Sequence, residues 1–193
     1  MVRTSNDGKR WRIGVIDGPN MSFIGREKGA RHHNLQSWDE LRDLVAATGD
    51  RLGVEILHTV SNYEGRILEW IHAEGPGLDG LLVNPGGLTT YGEGLRHALE
   101  ENGTPYVEVH LFNPVQYYAS VSPHIRLESR LTSSAQGVVA GFGEHGYVAA
   151  LVGLVSYLDG FSEADPVEET EGADAAGHTE GAGHAEPAEG AGR

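Results

Sequence analysis

Residues 80–113 constrain the fold more than any other stretch of this chain. Leu81-Leu-Val83 is a short apolar run without alternation, the pattern of a strand covered on both faces in a parallel sheet. Asn84-Pro-Gly-Gly87 stops the run and turns the chain. Leu95, Ala98 and Leu99 then recur at helical spacing, and Tyr106–Leu111 is a second strand carrying His110 near its carboxyl end. In an open α/β sheet ligands bind beyond the carboxyl ends of the strands. Asn84 and His110 both fall there.

The rest of the chain continues the alternation. Trp11–Ile16 is the first strand, ended by the tight turn Asp17-Gly-Pro-Asn20. Residues 21–35 read as a long polar loop with Arg26, Lys28, Arg31, His32 and His33, and its length in a compact domain predicts a lid. Ser37-Trp-Asp-Glu40 is a capping-box pattern opening a helix with Leu41, Leu44, Val45 and Leu52. Val54–Thr59 is the second strand, and Ser61-Asn-Tyr-Glu64 reads as another capping box before a helix with Ile67, Leu68 and Ile71 that ends near Gly75-Pro-Gly77. Beyond the 80–113 unit, Pro123–Arg130 reads as a short helix or turn and Gly137–Gly141 as a short buried strand. Gly146 precedes a helix with the stripe Tyr147, Leu151, Leu154, Val155 and Leu158. This order predicts one three-layer, doubly wound α/β domain over residues 11–160, with a five-stranded parallel sheet.

Composition narrows the chemistry. With no cysteine, disulfides, thiolate nucleophiles and cysteine-ligated zinc are excluded. The net charge of −14 is uneven. Residues 161–193 hold nine Asp/Glu against Arg193 alone, which leaves −6 for the remainder. That Glu/Ala/Gly tail has nothing large and apolar after Val167, so it is expected to be disordered, as are residues 1–10. His178 and His184 within it read as solvated side chains, and no metal site is expected. The acidic balance argues against nucleic acid as a partner. No apolar run approaches the roughly 20 residues of a membrane span, and residues 1–10 lack a signal-peptide apolar region, so a cytoplasmic protein is the expectation. Nucleotide fingerprints are missing from the first strand's turn, where Pro19 removes an amide that a phosphate cradle would use. Gly141-Phe-Gly-Glu-His-Gly146 matches dinucleotide spacing formally, but its position at the last strand reads as close strand–helix packing.

Several segments together resemble one family, the type II 3-dehydroquinate dehydratases. Ile16-Asp-Gly-Pro-Asn20 resembles the family's opening Asn-Gly-Pro-Asn turn. Ser61-Asn-Tyr-Glu-Gly65 with Trp70-Ile-His72 resembles its Ser-Asn-x-Glu-Gly…Trp-Ile-His helix, and Asn84-Pro-Gly-Gly87 with Ala98-Leu99 its Asn-Pro-Gly-Ala…Ala-Leu segment. Glu108-Val-His-Leu-Phe-Asn113 resembles Glu-Val-His-Leu-Ser-Asn, and residues 136–147 its glycine-rich C-terminal run. The resemblance implies a flavodoxin-like fold and a homo-oligomer of trimers, usually a dodecamer. It implies a lyase that needs no cofactor and removes water from a cyclic β-hydroxyketone through an enolate. Such chemistry needs a base, a group to hold the enolate, and an acid for the leaving hydroxyl.

By position, the resemblance makes His110 the general acid and Glu108 its orienting carboxylate. Asn20 would hold the water that stabilises the enolate, Arg26 would be the lid arginine, and Arg126 would grip substrate. Asn84, Gly87 and the backbone at Leu111 and Phe112 would hold substrate polar groups. The departures fall in the site itself. The family's base, a lid tyrosine five residues after the arginine, falls at Arg31, and residues 21–35 contain no tyrosine, so His32 or His33 becomes the candidate base. The family's carboxylate-binding serine is Phe112, its histidine after the Asn-Pro-Gly loop is Thr90, and its first-turn asparagine is Asp17. Extra residues between Asn113 and Arg126 carry Tyr117 and Tyr118, either of which could enter the site from a new direction. The expected function is therefore a dehydroquinase-like lyase on an altered substrate, with two alternatives: an ordinary 3-dehydroquinate dehydratase with a relocated base, or an inactive scaffold homologue.

Overall fold

The computed structural model describes residues 8, 10–26, 33–121, 124 and 128–162. The expected disorder begins two residues too early, since Phe161 and Ser162 end a helix, and its remainder at 163–193 falls outside the described residues, as do the expected roles of His32 and Arg126. Arg10, the last residue of the N-terminal stretch, donates to the carbonyls of Gly53 (3.0 Å) and Val54 (2.5 Å).

Five strands, β1 (Arg12–Asp17), β2 (Glu55–Val60), β3 (Gly80–Asn84), β4 (Tyr106–His110) and β5 (Gly137–Ala140), form one sheet in the order β2-β1-β3-β4-β5. All pairings are parallel. This is the doubly wound, flavodoxin-like order, and its winding reverses between β1 and β3. Side chains alternate across the strands and feed two cores. Ile13, Val15, Leu82, Val107 and Val109 pack against α1 (Trp38–Leu52) and α5 (His145–Ser162). Ile16, Leu81, Val83 and Tyr106 pack against α2 (Glu64–Glu74) and α3 (Glu93–Asn102). β3 is buried at every residue, as its unalternating run predicts.

Four local readings are corrected. The capping box holds at Ser37, whose Oγ accepts from the Glu40 amide, while the Glu40 carboxylate reaches back to the Gln36 amide. At α2 it does not. The N-cap is Tyr63, and the Ser61 hydroxyl bonds with the Tyr63 backbone. Glu64 instead accepts from the Leu95 amide (3.1 Å) and so caps α3, where no side chain of that helix's own N-cap does so. The helix after β4 is α4, Pro114–Val121, earlier than expected. Of the 123–130 segment, His124 and 128–130 are described, and none is helical. The described residues of the 21–35 stretch, 21–26 and 33–35, are less loop-like than their polarity suggests: Met21–Phe23 is a 3-10 turn, and Met21, Ile24 and Leu35 are buried in the α1/α5 core. Finally, β5 is an edge strand with Val138 45% exposed, not a buried one. Gly146 does pack closely, since a Cβ there would lie 2.8 Å from the Gly141 carbonyl oxygen.

Candidate active site

The two turns at the reversal of winding lie backbone against backbone. Gly18 N–H donates to the Asn84 carbonyl (2.8 Å), and Gly87 N–H to the Pro19 carbonyl (3.0 Å). A Cβ on Gly18 would sit 2.2 Å from the Pro85 carbonyl oxygen, and one on Gly86, which has φ +52°, 2.4 Å from that of Pro19. Only glycine permits this approach. The Asp-Gly-Pro-Asn and Asn-Pro-Gly-Gly sequences are thus two halves of one structure.

A cleft of about 570 Å³ opens above these turns and the end of β4. Of the residues expected in the site, Asn20, Asn84, Gly87 and Thr90 line it, as do His110, Leu111 and Phe112. Arg26 is exposed and is not part of the cleft wall. His33, at the end of the 21–35 stretch, does reach the wall. So does Tyr118 of α4, whereas Tyr117 stacks edge-on against both Phe112 (5.5 Å) and Tyr118 (5.4 Å). Phe23, Ile24 and Pro114 add apolar wall that sequence reasoning did not identify. Among the described residues no Asp, Glu, Lys or Arg lines the cleft.

His110 of the wall is backed by Glu108, which does not line the cleft. Glu108 and His110 are two residues apart on β4, so they share one face of the sheet. His110 Nε2 lies 2.8 Å from Glu108 Oε1, and Thr132 donates to Glu108 Oε2 at 2.5 Å. Glu108 is fully buried and His110 nearly so. Burial pushes the Glu108 carboxyl up, but hydrogen bonds from His110, Ser129 and Thr132 outweigh it and hold the group below its ordinary value. A carboxylate holding Nε2–H leaves Nδ1 as the ring nitrogen available to a ligand. Thr132 and Ser129 had no signal in the sequence, because they reach Glu108 only after a long connection folds back.

Asn84 is built differently. Its Nδ2 donates to the Tyr147 hydroxyl (2.8 Å) and toward Met21 Sδ (3.3 Å), and its Oδ1 accepts from Gly86 N–H (3.0 Å). The Tyr147 hydroxyl donates in turn to the fully buried Asp17 (2.5 Å). Asp17 also accepts from Trp38 Nε1 (2.8 Å) and pairs with His58 Nε2 (2.7 Å). Tyr147 reads from sequence as one member of an apolar stripe, and nothing in that pattern reveals its hydroxyl partner.

Comparison with known proteins gives the family. Residues 11–155 match the family described as Dehydroquinase class II. The 3-dehydroquinate dehydratase of Roseiflexus castenholzii is 35% identical over 144 residues, covering 75% of this chain and 88% of the relative. That of Halothermothrix orenii is 33% identical over 147 residues, covering 76% and 95%. The crystal structure of type II dehydroquinase from Butyrivibrio crossotus superposes with a TM-score of 0.65 at 27% identity, over 75% of this chain and 97% of that one. The chain belongs to the class II dehydroquinase family.

Proposed function

We propose that this protein is a carbon–oxygen lyase that dehydrates a cyclic β-hydroxyketone, with 3-dehydroquinate as the first substrate to test. The observation that carries the reading is the buried Glu108–His110 pair at the carboxyl end of β4, facing a cleft at the reversal of winding. A base removes a proton from the carbon next to the ketone, and the electron pair moves into an enolate. As the enolate collapses, the carbon–oxygen bond breaks and His110 Nδ1–H protonates the departing hydroxyl, which leaves as water. Glu108 stabilises the imidazolium and fixes its ring. Asn20, in a left-handed conformation on the cleft wall, is positioned to hold the water that stabilises the enolate. His33 lines the cleft and His32 precedes it, so the base is assigned to this pair. No organic cofactor is required by these steps, and the family resemblance implies a homo-oligomer.

A second reading concerns the substrate. Phe112, Tyr118 and Phe23 give the cleft an aromatic wall where the family resemblance leads one to expect a serine near the substrate carboxylate. This supports a larger or less polar relative of 3-dehydroquinate. The test is turnover of 3-dehydroquinate, followed by the ultraviolet absorbance of the conjugated enone, with His110→Ala as control. Turnover abolished by that substitution supports the ordinary dehydratase. Silence at high enzyme concentration removes that substrate. Binding of more apolar hydroxyketones at the cleft would then support the altered one.

A further inference from the structure

The proposed chemistry leaves Asp17 unused, although it is a fully buried carboxylate with three donors around it. Asp17 and Asn84 are register partners at the ends of β1 and β3, and the Tyr147 hydroxyl from α5 touches both. We infer that Asp17 is a positioning residue which, through Tyr147, fixes the Asn84 amide so that it presents only an acceptor to the cleft and selects a substrate hydroxyl there. This inference rests on the dehydratase reading for its ligand, but not for its geometry.

Counting protons gives the reason. An ionised carboxylate can only accept, so Tyr147 must donate to Asp17. Burial and the Asp17 charge both push the Tyr147 phenol well above its ordinary value, which keeps that proton in place. The hydroxyl's remaining capacity is a lone pair, and Asn84 Nδ2–H fills it at 2.8 Å. The second Nδ2–H faces Met21 Sδ, and Oδ1 takes Gly86 N–H. One lone pair on Oδ1 is all that Asn84 has left to offer. A ligand group meeting it must be a donor, which a hydroxyl is and a ketone is not.

The same count predicts what breaks the arrangement. Asparagine at position 17 would bring an N–H₂ into a pocket already supplied with donors by Trp38, His58 and Tyr147. Trp38 and His58, which already share Asp17 Oδ2, would hold its single carbonyl oxygen. Its N–H₂ would then face the Tyr147 hydroxyl and compete with Asn84 for the lone pair. Asn84 would be released to rotate, and its fixed polarity would be lost.

The test is a cycle of Asp17→Asn, Asn84→Ser and the double variant, with 3-dehydroquinate as the probe. Loss of a contact made equally in the ground and transition states raises KM and leaves kcat nearly unchanged. We expect Asp17→Asn to raise KM about tenfold in the parent background and less than twofold in the Asn84→Ser background, because the two act on one contact. Effects that multiply in the double variant overturn the inference. If the parent does not turn over 3-dehydroquinate, the dehydratase reading fails on its own. The positioning is then decided by urea unfolding of the same four proteins. Unfolding constants coupled about tenfold support it, and additive ones overturn it. Should Asp17→Asn fail to fold, Tyr147→Phe, which removes only the hydroxyl linking the two residues, takes its place in both cycles and is judged by the same outcomes.

Discussion

Replacing Glu108 with glutamine keeps the shape of the Glu108–His110 pair proposed as the acid and removes its charge. Glu108 Oε1 sits 2.8 Å from His110 Nε2, with both side chains buried. A hydrogen bond to a charged group contributes about 1.5–3 kcal/mol, against about 1 kcal/mol for a neutral acceptor. The difference, about 0.5–2 kcal/mol, falls on the protonated imidazole, the form that gives up a proton to the leaving hydroxyl in the proposed reaction. At 1.4 kcal/mol per factor of ten, kcat at neutral pH should fall roughly 2- to 30-fold. The assay is enone formation with saturating 3-dehydroquinate. Stability has its own dependence on pH. Glu108 is held below its ordinary value of 4.5, so the stability from its hydrogen bonds is fully present above about pH 4.5 and is lost as pH falls through the folded-state value. A folded Glu108→Gln protein with parental kcat would refute the argument that this pair is the acid.

Other outcomes follow from single contacts. Gly18→Ala, with its Cβ 2.2 Å from a backbone carbonyl oxygen, should destabilise the fold by about 1–3 kcal/mol in chemical denaturation and raise KM by displacing the Asn84 turn. Glu64→Ala removes the carboxylate that caps α3 and should cost about 1 kcal/mol of stability while kcat stays unchanged, since Glu64 is not in the cleft wall. Phe112→Ser exchanges an aromatic wall for a hydroxyl donor, and KM for 3-dehydroquinate should drop about tenfold if this side chain sets substrate choice. An unchanged or higher KM would remove Phe112 from that role.

Much of the site was legible because its parts are local. Asp17-Gly-Pro-Asn20 and Asn84-Pro-Gly-Gly87 end apolar runs, and strand ends in a doubly wound sheet are where sites form. Glu108 and His110 share a face because side chains alternate along a strand. The errors have the same origin in reverse. Ser61-Asn-Tyr-Glu64 has the spacing of a capping box, but the Glu64 carboxylate finds the start of another helix, α3, and the expected Ser61 contact is not made. Met21, Ile24 and Leu35 are scattered among charges in the sequence, yet all three are drawn into the α1/α5 core.

By itself the sequence determined the order of strands and helices, the two glycine turns and the placing of Glu108 and His110 on one strand face, since each depends on periodicity or on residues a few positions apart. Tertiary structure alone decided how those parts are wired. It brought Thr132 to Glu108 across 24 residues and Tyr147 to Asp17 across 130. It placed Tyr118 in the cleft wall and Tyr117 behind it. A side chain's spacing reveals which face it takes, but the direction of a buried hydrogen bond depends on which groups the fold brings together and on how many protons they share.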